Sequence, residues 1–253
     1  MEMTGLEVKK LIALAGVEWR LRQQSTFLGF IWTMLNPALI FAAMYAVFEH
    51  WIGSRQKGYA MFLVIGLVEW NFFASATNYA LTSLQRRAAL MKNFPIKPEI
   101  IILSSLLSVY FSHLLELAAL GALTLLSGTA PSLSWLWLIP LDILYFCLVT
   151  GAGMILAWLA VFYLDIERIW GIILMAGFFL TPVFYPLSVV DAARRRLIEF
   201  TPLTAIIESL RLILSGAPPS HGALLCVAFW AIPALIAGFA ALRLARARIG
   251  DML

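Results

Sequence analysis

The sequence predicts an all-α polytopic membrane protein of one domain, 1–253, with six transmembrane helices, an N-terminal amphipathic interface helix and re-entrant gate helices between the fifth and sixth spans. Three observations carry this. Of the 253 residues, 62% are hydrophobic and only 13% charged, against roughly 25% charged in soluble domains. The mean hydropathy is +0.90. The runs 26–48, 143–164 and 223–242 hold no charge, and each is long enough to cross the roughly 30 Å hydrocarbon core as a helix, the conformation that satisfies its backbone groups internally.

The elements follow in order. Residues 3–25 set Leu6, Leu11, Leu14, Val17 and Leu21 at helical spacing among Glu7, Lys9, Lys10, Glu18, Arg20 and Arg22, the pattern of an amphipathic helix at a membrane surface. The first span, 27–51, follows this charged stretch without a small-residue cleavage signature, so it is not a removable signal peptide. Asn36-Pro37 inside it predicts a kink, because proline lacks the backbone donor. After a polar loop, 53–58, the second span, 59–84, opens into Gln85-Arg86-Arg87 and then Lys92-Asn93-Phe94-Pro95-Ile96-Lys97-Pro98. The third span is 99–126, and the turn 127–131 leads to the fourth, 135–163, which Asp165-Ile166-Glu167-Arg168 closes. The fifth, 169–185, is short and ends in Thr181-Pro182 and Tyr185-Pro186. A charged stretch with Asp191, Arg194, Arg195, Arg196 and Glu199 precedes the apolar piece 203–214, which carries Glu208 and Arg211. That piece is too short and too polar to cross and reads as re-entrant. The sixth span is 222–242, and Arg243, Arg246 and Arg248 follow it.

Six crossings put both termini on one side. Twelve of the 18 Lys and Arg residues then fall with the termini: Lys9, Lys10, Arg20, Arg22, Arg86, Arg87, Lys92, Lys97, Arg168, Arg243, Arg246 and Arg248. The other six are Arg55, Lys57, Arg194, Arg195, Arg196 and Arg211. This bias places the termini in the cytoplasm. Basic residues flanking apolar spans set orientation, so the net charge of +4 does not point to nucleic acid. Cys147 and Cys226 both sit in apolar segments and read as packing residues, with no disulfide framework or metal spacing.

The sequence holds no GxxxxGK[ST], GxGxxG, HExxH or GxSxG, so the chain has no ATPase, zinc or hydrolase signature of its own. His50, His113 and His221 lie on separate segments. Charges in hydrocarbon point to a function, and Glu69 and Glu116 qualify. Glu69 either lines a polar path or hydrogen-bonds a neighbouring helix, while His113 and Glu116, three apart, read as satisfying each other. Trp70, Phe72, Phe73 and Tyr79, with Phe178, Phe179, Phe184 and Tyr185, offer rings on which sugars can slide; rings also anchor and pack helices.

Taken together, RLRQQSTFLGFIWTMLNP (20–37), KNFPIKP (92–98), YLDI (163–166), FLTPVFYP (179–186) and Thr201-Pro202-Leu203 with Glu208 to Arg211 resemble, in order and spacing, the permeases of type 2 ABC exporters of O-antigen, teichoic acid and capsular polysaccharide. The resemblance spans nearly the whole chain. It implies a homodimer in the bacterial inner membrane with separate nucleotide-binding subunits that hold ATP and Mg, moving a lipid-linked polysaccharide outward. By position, it makes 1–25 a cytoplasmic interface helix and 85–98 a coupling helix. Arg20, Arg22, Gln85, Arg86, Arg87, Lys92, Asn93, Phe94, Pro95, Asp165, Glu167 and Arg168 become contacts for the ATPase. It makes 187–215 periplasmic gate helices carrying Arg194, Arg195, Arg196, Glu208 and Arg211; Glu69 and the two aromatic sets, read from the residues themselves, are the candidate translocation path. One departure is Thr201-Pro202 where the family usually has Asn-Pro, which leaves the particular polymer open.

A drug or lipid permease shares this fold, and the aromatic sets favour polymer over it. An ion-coupled transporter would show internal repeats with interrupted helices, which the sequence lacks. A membrane transferase acting on a polyprenyl phosphate would pair its arginine cluster with acidic metal ligands, and Arg194 to Arg196 have no such pair beside them.

Overall fold

The computed structural model describes residues 5–24, 29–53, 56 and 58–252, with side chains described outside 23–37 and 245–252. Thr26, Phe27, Leu28, Arg55 and Lys57 lie outside the described residues. The side chains of Asn36, Pro37, Arg246 and Arg248 do as well.

Eleven α-helices make up the described fold: α1 (Gly5–Gln24), α2 (Gly29–Phe48), α3 (Tyr59–Leu81), α4 (Ser83–Arg86), α5 (Ala88–Asn93), α6 (Pro98–Leu126), α7 (Leu138–Phe162), α8 (Ile166–Leu180), α9 (Ala192–Glu199), α10 (Pro202–Leu214) and α11 (His221–Met252). Four helical stretches among the described residues are long and apolar enough to cross a membrane: Tyr59–Leu81, Pro98–Leu126, Leu133–Phe162 and His221–Leu244. The chain is thus an all-helical polytopic membrane protein. α8, at 15 residues, rises only about 22 Å at 1.5 Å per residue.

The core lies where α3, α6 and α7 meet α10 and α11, around Leu63, Ile102, Leu106, Val149, Met154, Ile207 and Ile213. Lipid tails are as apolar as leucine, so close helix approach comes from small residues. At Gly151 of α7 a Cβ would stand 2.4 Å from the carbonyl carbon of Ala234 in α11, and at Gly238 it would meet the Gly151 carbonyl oxygen at 2.8 Å. α11 continues ten residues past the end of its expected span, and the Ala and Arg residues there are good helix formers.

Local chemistry explains the short pieces. Residues 85–98, expected as a coupling helix, fold as the end of α4, then α5, a non-helical run over 94–97 and the first residue of α6. Phe94 and Lys97, each before a proline, take β-region backbone (φ −135°, ψ 143° and φ −70°, ψ 139°), as the proline ring requires of its predecessor. Asp191 caps α9 by accepting from the Ala193 and Arg194 amides. α10 begins with Pro202 at its first position and is followed by Gly216 at φ 93°, a stop that favours glycine.

The first helix is α-helical over Gly5–Gln24. α1 packs alongside α6, and its inward side holds Ala15 and Glu18, while Leu6, Ile12, Val17 and Leu21 point outward. Outward leucines suit a helix bathed in lipid, and the polar residues turned inward find partners on the bundle.

Candidate functional site

Two connectors share one end of the bundle. α3 and α7 both finish there, and α6 and α8 both start there. Gln85 joins them by donating from Nε2 to the Ala160 carbonyl, 2.9 Å away. On the first connector Lys92, Asn93, Phe94 and Pro95 are all exposed, Phe94 to 58%. On the second, Tyr163, Leu164, Asp165, Glu167 and Arg168 are exposed. Apolar rings bared beside charges are the composition of a protein-binding surface.

Behind the first connector α1 is pinned to the bundle. Glu18, almost wholly buried, accepts from Arg87 Nε at 2.7 Å and from the Tyr79 hydroxyl at 2.8 Å. The Arg86 guanidinium carbon lies over the Tyr79 ring, 3.5 Å from its centre, and Arg86 donates to the Tyr79 carbonyl. Arg22 approaches the same ring at 5.2 Å, and Glu7 pairs with Lys97. Burial pushes the Glu18 carboxyl up. The Arg87 and Tyr79 hydrogen bonds and the charges of Arg87 and Arg86 overcome this and hold it below its ordinary value. Arg22, Arg86 and Arg87 therefore gather beside Glu18, whereas Arg20 stays exposed.

In the middle of the spans the structure collects charges from three helices. His113 of α6 is 1% exposed. Its Nε2 lies 3.6 Å from Asp142 of α7 and 3.9 Å from Glu69 of α3, and its Nδ1 lies 3.9 Å from Glu116. Tyr110 donates to Asp142, Tyr145 donates to the Glu69 carbonyl at 2.6 Å, and Phe72 stacks on His113 with centroids 4.0 Å apart. His113 and Glu116 are thus neighbours, as their spacing suggests, but within a larger group. Sequence reasoning missed Asp142; the available signal was a lone carboxylate in the apolar fourth span. The imidazole distances exceed direct hydrogen bonds. A cavity of about 10 Å³ lined by Glu69, Asp142 and Tyr145 is close to the space one water needs.

The aromatic sets divide three ways. Trp70 and Phe73 of α3 join Phe178 and Trp170 of α8, at centroid distances of 5.8 to 6.1 Å. Phe178 and Phe179 continue to Phe184, and Phe184 to Tyr185 at 5.1 Å. Six rings proposed for the path from two distant segments therefore form one run with Trp170, and Phe179 stands open. Phe72 and Glu69 turn into the bundle, and Tyr79 serves the connector end.

At the opposite end, Arg211 of α10 reaches across the fold. Its side chain is 9% exposed and donates to the carbonyls of Phe62, Pro182 and Val183 at 2.8 to 3.3 Å and to Glu208 at 2.7 Å, with the guanidinium carbon 3.3 Å over the Phe62 ring. Gly66 makes room: a Cβ there would stand 2.9 Å from Arg211 Nη2. Arg194 pairs with Asp191 and Arg195 with Glu199, all in the open, and Arg196 is exposed beside them.

The ABC-2 type transporter family matches residues 9–215. The chain is 28% identical over 208 residues to the O-antigen export system permease protein RfbA of Klebsiella pneumoniae, covering 81% of this chain and 80% of that one. It is 27% identical to the protein of the same name from Myxococcus xanthus, covering 80% and 79%. Polysialic acid transport protein KpsM of Escherichia coli is 23% identical over 100% of this chain and 99% of its own. A matched region that takes in both connectors, the polar core, the aromatic run and the Arg211 contacts places the chain in the ABC-2 type transporter family.

Proposed function

We propose that this chain is the permease subunit of an ATP-driven exporter that moves a lipid-linked polysaccharide of O-antigen type outward across the bacterial inner membrane. Two copies work with two separate nucleotide-binding subunits, which supply the ATP and Mg chemistry. The chain crosses six times, with α2 and α8 completing the set, and both termini and the connectors are cytoplasmic. α9 and α10 form the gate on the outer side.

The observation that carries this reading is the connector surface. A chain with no phosphate loop must receive work from one that has it, and here Phe94 and Leu164 are bared at the ends of rigidly braced helices. The names of the relatives and the aromatic run support a polymer as the cargo, since stacked rings present sugars with repeated apolar contact and few tight polar sites.

The test is a Phe94→Cys variant, cross-linked in membranes to single cysteines on the nucleotide-binding subunit encoded beside this chain. The proposal expects a specific cross-linked pair, and loss of surface polysaccharide when the chain is deleted. Intact surface polymer in the deletion strain overturns it.

A further inference from the structure

We propose that Glu69 of α3 and Asp142 of α7 share one proton through a water molecule, which makes the middle of the spans a proton-binding site. The cavity between them, about 10 Å³, is walled by Tyr145 and by apolar side chains. That is close to the space one water needs.

The polar atoms around this space are unmet. Glu69 Oε1 and Asp142 Oδ1 are both buried, and neither has a hydrogen-bond partner. Glu69 as a whole is 1% exposed. Leaving such atoms unpaired costs free energy that a bridging water recovers. The Tyr145 hydroxyl, which donates to the Glu69 carbonyl, can accept from the water and gives it a third polar partner.

Charge balance adds the proton. Three carboxylates, those of Glu69, Asp142 and Glu116, surround the His113 ring. They lie beside both ring nitrogens, which suits an imidazolium with a proton on each. Arg22 of α1 lies near enough for its charge to act on Glu116, and α10 brings only Ile206 and Leu210 to the cavity. Two cations therefore answer three anions, and one negative charge is left inside the bundle. A buried carboxylate without a partner is costly. Among the described residues no group of His, Cys, Asp and Glu could hold a metal ion, which leaves a proton as the balancing charge. Tyr110 donates to Asp142, which favours the anion there, whereas Glu69 Oε1 takes no hydrogen bond. The proton therefore sits on Glu69 and is donated through the water to Asp142. It ties α3, with the His113 ring of α6 beside it, to α7, and its loss charges the core.

The experiment is infrared spectroscopy of the full chain in lipid at neutral pH, reading the C=O stretch of a protonated carboxyl. The wild type should show this band, and labelling the glutamate carboxyls with a heavy carbon isotope should shift it. Glu69→Gln should abolish it, and Glu116→Gln should leave it in place. Asp142→Asn, which removes the anion on the far side of the water, should shift the band without abolishing it. A wild type with no such band, a band that ignores the glutamate label, or one that survives in Glu69→Gln overturns the proposal. A band unmoved in Asp142→Asn overturns the sharing. The label and the Asp142→Asn shift decide the matter even if Glu69→Gln does not fold, since Glu99, the other buried glutamate of α6, starts that helix at the connector end and does not respond to Asp142.

Discussion

Arg211→Met asks how the α10 segment is held. Methionine fills much of the same volume but abandons the carbonyls of Phe62, Pro182 and Val183 as well as Glu208. Hydrogen bonds to a charged group contribute about 1.5 to 3 kcal/mol each, and breaking a buried charged network costs roughly 3 to 5 kcal/mol. Glu208→Gln should behave differently. Glu208 is 34% exposed, and its loss leaves Arg211 with three backbone acceptors, so the cost should be below about 1 kcal/mol, the range of partly exposed ion pairs. Thermal unfolding in detergent, followed by intrinsic fluorescence, compares the two. For a chain of this size the difference is roughly 10 °C in Tm. Equal losses for the two variants would show that an ion pair, and not the carbonyl contacts, holds α10, and would refute the reasoning.

Three further outcomes are expected. Gly151→Ala puts a methyl within 2.4 Å of α11 backbone and should cost at least about 3 kcal/mol, the upper range for overpacking, measured as a fall in the same unfolding temperature; an unchanged value would contradict the crossing. Glu18 is ordinarily near 4.5 and is held lower when folded, so its contribution is full above that value and is lost as pH falls through the folded value. Hydrogen exchange in α1 should rise below about pH 4.5 in the wild type and show no such step in Glu18→Gln. Phe178→Ala with Phe184→Ala breaks the ring run at its centre and should slow polymer export several-fold in vesicles while leaving assembly with the nucleotide-binding subunit intact. Export at the normal rate would remove the rings from the path.

Hydropathy alone exposed the spans that have no competing signal: α3, α6, α7 and α11 stand within a few residues of their expected limits at most ends. The ends misread were those where helix continues without hydrophobicity, as past Arg243, or breaks inside a polar run, as at Phe94-Pro95. The amphipathic pattern of α1 was legible, but the partner of Glu18 was not, because Arg87 lies sixty-nine residues away; spacing within one helix carries no trace of such a partner. Asp142 was overlooked for the same reason. A single carboxylate in an apolar span gains meaning only when α3 and α6 bring Glu69 and His113 to it. The aromatic sets were legible as two clusters, and their union was not, since it depends on α8 lying against α3 through Gly177, where a Cβ would come within 2.9 Å of Trp70.

The most direct measurement is ATP hydrolysis by the chain purified with the nucleotide-binding subunit encoded beside it and reconstituted in lipid, with and without lipid-linked polysaccharide. The account predicts no hydrolysis by the chain alone, a stable complex of two copies of each subunit, and turnover that rises with the polymer and falls to the unstimulated rate in Phe94→Asp. A chain that forms no complex with an ATPase, or a complex whose turnover ignores the polymer, would contradict it.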